Sequence, residues 1–176
     1  MIHIYPRRSA VPVELWRRLF ESAERRIGIL AYAGLFLPEL EPRLVKILKA
    51  KAEAGVRVEI LLGDPKSEAV AQRGAEEGIG DAMASKVYNV LAFYDPLKNV
   101  DGVHARFHDT PLYNSIYLSD DEMLVNTHAY GFPAAHCPTF HMRRLSSGGD
   151  LFDTYADSFD RVWSSGKPIW GGLVAG

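Results

Sequence analysis

Cysteine is nearly missing from this 176-residue chain, with Cys137 the only one. A single thiol excludes an internal disulfide and a thiolate-clustered metal site, and it fits a reducing, cytoplasmic setting. Long apolar runs are missing too. None approaches the roughly 18 residues of a membrane span, and the opening Met-Ile-His-Ile-Tyr-Pro-Arg-Arg lacks a signal-peptide pattern, so no membrane association is expected. An excess of charge of one sign is also lacking. Twenty basic and 22 acidic residues leave a net charge of −2, which gives no global basic field to recruit nucleic acid or anionic lipid. The six histidines show no short metal-ligand spacing, so neither a metal nor another cofactor is expected. Repeats, low-complexity tracts and a long linker are absent. Residues 1–170 therefore read as a single domain and 171–176, Gly-Gly-Leu-Val-Ala-Gly, as a flexible tail.

What is present is clear α/β patterning. Val13, Trp16, Leu19, Phe20, Ala23 and Ile27 recur at helical spacing. Arg17, Arg18, Arg25 and Arg26 are read as the wet face of that helix. Ile27–Ala33 is a nearly continuous apolar run, the pattern of a strand covered on both faces. Leu40, Leu44, Ile47 and Leu48 form the stripe of a second helix, stopped by Gly55, and Val56–Leu62 is the next strand. This alternation implies a parallel βαβ unit with a right-handed crossover. Helix is expected over 67–92 with a break near Gly78-Ile-Gly80, then strands at Val103–His108, Leu112–Leu118, Met123–Asn126 and Thr139–Arg143. A closing helix carries the stripe Phe152, Tyr155, Phe159, Val162 and Trp163. The expected architecture is α/β: a mixed, mostly parallel sheet flanked by helices on both faces.

The segment 112–128, Leu-Tyr-Asn-Ser-Ile-Tyr-Leu-Ser-Asp-Asp-Glu-Met-Leu-Val-Asn-Thr-His, carries the functional signal. It reads as two strands around an Asp-Asp turn, with Tyr113, Asn114, Ser115, Asn126 and His128 where a plain core strand would place Val or Ile. Strand alternation puts Tyr113, Ser115 and Tyr117 on one face. Ligands of open α/β sheets bind beyond the C-terminal ends of strands. A pocket is accordingly expected near Ala31–Ala33, with Tyr32, and near Leu62–Asp64. Arg73 and Glu77, one helical turn apart, point into it, and His108 flanks the pocket strands. Ser115 has neither the glycines of a nucleophile elbow nor a base close in sequence, so it is not read as a nucleophile.

The helix–strand run from Ser22 to Ala33, followed by a helix and by Ala54-Gly-Val-Arg-Val-Glu-Ile-Leu-Leu-Gly63, resembles one lobe of a phospholipase D-type fold. Active members of that family carry His-x-Lys-x4-Asp and then a Gly-Ser/Asn-rich turn. The histidine is their nucleophile and the lysine neutralises phosphate charge. Placing the family aspartate at Asp120 puts Tyr113 at the histidine, Ser115 at the lysine and Asn126-Thr-His128 at the turn. His104-x-Arg106 offers a second register, but Pro111 then falls where the aspartate belongs. Neither supplies the family's reaction centre. Two phrases narrow the resemblance: Gly63-Asp-Pro65 with Arg73–Asp81, and Leu112–Tyr117 with Asp121–His128 and Tyr130-Gly131. From about Tyr5 to Trp163 the chain is similar to the C-terminal module found behind XRE-type helix-turn-helix domains in bacterial transcription regulators.

That resemblance implies a non-catalytic, ligand-sensing effector domain with a degenerate phospholipase D-type pocket. Its ligand would be a small phosphate-bearing or nucleotide-like molecule held by Tyr32, Asp64, Arg73, Glu77, His108, Tyr113, Asn114, Ser115, Asn126 and His128. DNA would be reached only through an attached helix-turn-helix domain, and one lobe per chain implies a homodimer. Two alternatives stay open. One is a divergent phosphodiesterase or nucleosidase using His108 or His128 as acid-base, with Asp64 or Glu77 as partner. The other is a dimerisation module.

Overall fold

The computed structural model describes residues 2–149 and 151–171, so most of the expected tail lies outside the described residues. Among the described residues eight strands form one mixed sheet in the order β1-β7-β6-β5-β2-β3-β4-β8. They are β1 (Ile2–Tyr5), β2 (Arg26–Leu30), β3 (Arg57–Gly63), β4 (Val103–His108), β5 (Asn114–Ser119), β6 (Glu122–Thr127), β7 (Thr139–Arg143) and β8 (Lys167–Pro168). Only β2–β3 and β3–β4 pair in parallel, whereas β2–β5, β5–β6, β6–β7, β1–β7 and β4–β8 are antiparallel. The expectation of a mostly parallel sheet is therefore corrected. The βαβ unit in the first 65 residues is parallel, but hairpins govern the second half because its strands are joined by connections too short for crossovers.

The helices are α1 (Val13–Glu21), α2 (Phe36–Leu40), α3 (Leu44–Glu53), α4 (Glu68–Glu76), α5 (Ala82–Tyr94) and α6 (Leu151–Ser165). Alternating strand residues divide the core in two. Ile27, Ile29, Val58, Ile60, Leu62, Tyr117 and Leu124 pack with the buried faces of α1, α3, α4 and α5. Leu30, Leu61, Ile116, Leu118, Met123 and Val125 meet the stripe of α6 on the opposite side. Both faces are thus covered, unequally. No helix of the described residues is long and apolar enough to cross a membrane.

Two contacts explain local sequence choices. Gly28 of β2 faces α6, where a Cβ would lie 2.8 Å from the Phe159 ring, so the ring packs directly on the strand backbone. Gly74 of α4 faces the Gly80 carbonyl, where a Cβ would come within 2.2 Å, and this lets the chain turn closely from α4 into α5. The second contact realises the break expected at Gly78-Ile-Gly80.

Some arginines behave differently from the sequence reading. α1 ends at Glu21, so Arg25 and Arg26 lie beyond it. Arg26, on β2, pairs with Glu59 and Asp160, and Arg17 pairs with Glu41 at 2.6 Å. The acidic turn is also structural. Asp120 has φ 50°, and its carboxylate accepts from the backbone N–H groups of Glu24 (2.8 Å), Arg25 (3.0 Å) and Arg26 (2.8 Å). It thereby ties the β5–β6 hairpin to the entry of β2.

Desolvation opposes ionisation of Asp120, but the three N–H donors outweigh it and hold the carboxyl below its ordinary range. The folded pKa is lowered, so the stabilisation is complete above the unfolded value of about 4 and is lost as pH falls through the lower folded value. Asp120→Asn should cost about 1 kcal/mol at neutral pH, because the turn is partly solvated. Urea midpoints of parent and variant should converge between about pH 4 and pH 2. A gap that stays constant over that window would show that the carboxylate charge is not what holds the turn.

Candidate ligand site

Beyond the end of β2 the chain runs Ala31-Tyr32-Ala33-Gly34 into α2, and the neighbouring strand β5 runs antiparallel. The space left between this exit, β5, α4, α5 and the loop after β6 is a cavity of about 360 Å³. That is a size typical of small-molecule sites. Its wall includes Arg8, Tyr32, Arg73, Glu77, Ser115 and His128.

β5 supplies Ser115 and Tyr117 to the wall because alternate residues share a face, while Ile116 and Leu118 go to the α6 side. Ser115 is buried, and its Oγ lies 3.0 Å from His128 Nε2. The other ring nitrogen, Nδ1, lies 3.3 Å from the Leu112 carbonyl. A carbonyl only accepts, so Nδ1 carries the hydrogen, Nε2 is an acceptor and the Ser115 hydroxyl donates to it. Tyr32 stacks on His128 with ring centroids 5.9 Å apart, and its hydroxyl accepts from the Leu112 N–H at 2.7 Å. Desolvation, reinforced by the charge of Arg73, lowers the His128 pKa to about 4, and Arg8 acts in the same direction. His128 is neutral at physiological pH.

Two cations face this pair. Arg73 of α4 is almost fully buried; its Nε donates to Glu77 at 2.7 Å and its terminal nitrogen to the Phe132 carbonyl at 3.0 Å. Arg8 lies just after β1. Its backbone N–H donates to the Cys137 carbonyl, and its guanidinium sits 3.7 Å over the Phe36 ring. Burial lowers the Arg8 pKa from its ordinary value, against the opposing influence of Tyr117 and Glu77. Among the described residues Arg8 has no carboxylate at ion-pair distance. The wall also carries Lys86 and Glu39, so it holds three cations and two carboxylates, of which only Arg73 and Glu77 form an ion pair among the described residues.

Five of the residues expected at a site, Tyr32, Arg73, Glu77, Ser115 and His128, share this wall. The other five are placed elsewhere. Tyr113 is 84% exposed, and Asn114 on β5 is off the wall. Asn126 is fully buried and donates Nδ2 to the Ala134 carbonyl at 3.0 Å and the Cys137 carbonyl at 3.3 Å, bracing the loop that ends in β7. His108 is buried, with Nε2 2.9 Å from the Ala31 carbonyl and Nδ1 accepting from the Thr110 N–H. Asp64 accepts from the Lys66 N–H within its turn. His104 and Arg106, the second motif register, lie on β4, where Arg106 donates to the Trp163 carbonyl at 2.8 Å. No base lies close to Ser115 in sequence, but His128, thirteen residues away, is brought opposite its hydroxyl by the β5–β6 hairpin. Arg8 and Tyr117 were not singled out as site residues. The only hint was the Arg7-Arg8 pair and the shared face of Tyr113, Ser115 and Tyr117. Among the described residues no three His, Cys, Asp or Glu side chains are grouped to hold a metal ion.

The sheet order and the helices on each side can now be compared with known structures. No family model matches the chain, and no curated protein matches it in sequence. Solved structures do match. Nuc from Salmonella typhimurium, a phospholipase D family member, superposes with a TM-score of 0.53 at 16% identity, over 97% of each chain. The chain has a phospholipase D-like fold. NucT from Helicobacter pylori matches over 96% of this chain and 98% of its own, with a TM-score of 0.57 at 9% identity. TrmBL2, an archaeal chromatin protein with a novel mode of DNA binding, matches 96% of this chain with a TM-score of 0.57 at 11% identity. The present chain spans about half of TrmBL2, 54% of its length. Of the residues that the sequence register sets against the family motif, Ser115 and His128 meet at the cavity wall, while Tyr113 is exposed.

Proposed function

We propose that the chain is the ligand-sensing domain of a transcription regulator and binds a small phosphate-bearing or nucleotide-like molecule in the 360 Å³ cavity. The observation that carries the reading is Arg8, a half-buried guanidinium on the cavity wall with no carboxylate partner among the described residues. A desolvated cation favours an anionic ligand, because charge-assisted bonds to a phosphate repay its lost hydration. Arg73 and Tyr32 add donors around the same space.

Thermal-shift measurements with inorganic phosphate, nucleotides, sugar phosphates and plain sugars test this directly. An anion at 100 times its Kd stabilises by about 2.7 kcal/mol, which raises the Tm of a domain this size by about 5–10 °C. Plain sugars should give no shift. Arg8→Ala should weaken the best anion by about 1.5–3 kcal/mol in calorimetric titration. Equal affinity in parent and variant would remove Arg8 from the site, and no shift with any phosphate compound would remove the reading.

In this reading the chain acts as a homodimer joined to a helix-turn-helix domain, which alone touches DNA. Two-fold protein symmetry suits an operator with two half-sites. Sedimentation at micromolar concentration should give about twice the 19.6 kDa chain mass. A monomer over that range would leave the attached domain as the source of symmetry. The alternative that uses His108 as acid-base is disfavoured by the backbone partners on both of its ring nitrogens.

A further inference from the structure

We infer that Ser115 and His128 form a nucleophile–base pair that cleaves a phosphoester held in the cavity. The inference rests on the proposed binding of a phosphate-bearing molecule and goes beyond it by adding a reaction.

A serine hydroxyl becomes a nucleophile when a positioned base accepts its proton. That geometry is complete here. Ser115 Oγ donates to His128 Nε2 at 3.0 Å, and the Leu112 carbonyl 3.3 Å from Nδ1 fixes the tautomer that leaves Nε2 free to accept. Stacking on Tyr32 holds the ring plane. Tyr32 is anchored in turn, because its hydroxyl accepts from the Leu112 N–H. Nucleophile, base and orienting group thus come from β5, the residue after β6 and the short segment before β5. Ser115 and His128 both line the cavity, as does Arg8, which supplies positive charge of the kind that a phosphoryl group requires as it gains electron density.

The step balances without a metal or an oxidant. Ser115 Oγ attacks phosphorus and forms a P–O bond while the P–O bond to the leaving alcohol breaks. The hydroxyl proton passes to His128 Nε2 and from there to the leaving oxygen. Water then attacks the phosphoserine, gives a proton through His128 back to Ser115 Oγ, and releases the phosphate product. Burial and the charges of Arg73 and Arg8 disfavour an imidazolium at His128. A bound phosphate offsets those charges and makes proton transfer to His128 easier. The substrate therefore completes the electrostatics of its own cleavage.

The test uses the full chain and two probes, bis-p-nitrophenyl phosphate, which is anionic, and diisopropyl fluorophosphate, which is neutral. Intact-mass spectrometry should show one phosphoryl adduct per chain with the neutral probe, and peptide mapping should place it on Ser115. The anionic probe should release p-nitrophenolate. Ser115→Ala should abolish both signals. His128→Gln, which keeps a hydrogen-bonding group but no base, should slow them by about a hundredfold or more. Circular dichroism melts establish that each variant is folded, and mapping on the parent chain decides the nucleophile even where a variant is not. An adduct on a tyrosine or on another serine would overturn the proposal. So would the absence of any adduct or turnover while inorganic phosphate still raises the Tm, and the binding reading would then stand alone. Labelling of Ser115 by the neutral probe with no phosphate-induced shift would keep the pair and remove the anion site.

Discussion

Phe159→Ala should lower the stability of the domain by about 3–5 kcal/mol, the range for a large aromatic removed from a closed core. Phe159 is fully buried on α6, and its ring lies where a Cβ on Gly28 would stand. The opposing surface is strand backbone, which cannot move a side chain into the vacancy, so the cavity stays open and the cost falls at the upper end. Trp163 sits on the same stripe but retains 8% exposure where Phe159 has none, so its loss should cost less. Urea unfolding of the two variants orders them. A Phe159→Ala midpoint within error of the parent would mean that α6 can settle onto β2.

Arg73→Ala should also cost about 3–5 kcal/mol, for an electrostatic reason. Arg73 and Glu77 form a pair in which the side chains are 4% and 7% exposed. Removing the guanidinium strands a buried carboxylate and also frees the Phe132 carbonyl. The double variant Arg73→Ala/Glu77→Ala should be more stable than Arg73→Ala alone, because no orphan charge remains. A double-mutant cycle by urea denaturation measures this coupling, and additive effects would show that water reaches the pair. The pairing also changes the choice of probe for ligand binding. Loss of affinity in Arg73→Ala would mix an anion contact with a disturbed α4, whereas Arg8 has no buried carboxylate to strand.

Much of the fold was legible because burial on one face writes a period into the sequence. The stripes of α1 and α6, the continuous apolar β2 and β3, and the Gly-rich break between α4 and α5 all survive in the structure. The strand pairing was less legible. Continuous apolar runs show that a strand is covered on both faces but not the direction of its neighbour, so β2–β5 was not expected to be antiparallel. The site was half legible. Alternation placed Ser115 on a shared face, but His128 becomes its partner only once a hairpin register is fixed, and no local spacing encodes that register. Asn126 and His108 look like site residues in the sequence because they are polar among apolar neighbours. Each is spent on backbone carbonyls of irregular segments, a need that periodicity does not show. Arg8 follows a four-residue edge strand whose exposed Ile2 and Ile4 give no buried pattern to read.

The position of Arg8 has a consequence for the order in which the molecule is made. β1 pairs with β7, and the Arg8 N–H bonds the Cys137 carbonyl, so the start of the chain is fastened to a strand near its end. Arg8 is synthesised before α1 to α5 and β2 to β6, yet the segment that holds it, leading into β7, comes only after them. Closing so long a loop is among the last and slowest events a chain of this topology can complete. Until then the nascent domain has a cavity wall with Arg73 and its counter-charge but without Arg8. Under the proposed anion binding at Arg8, affinity arrives with that pairing, and the ligand stabilises finished chains and gives no help to partly built ones.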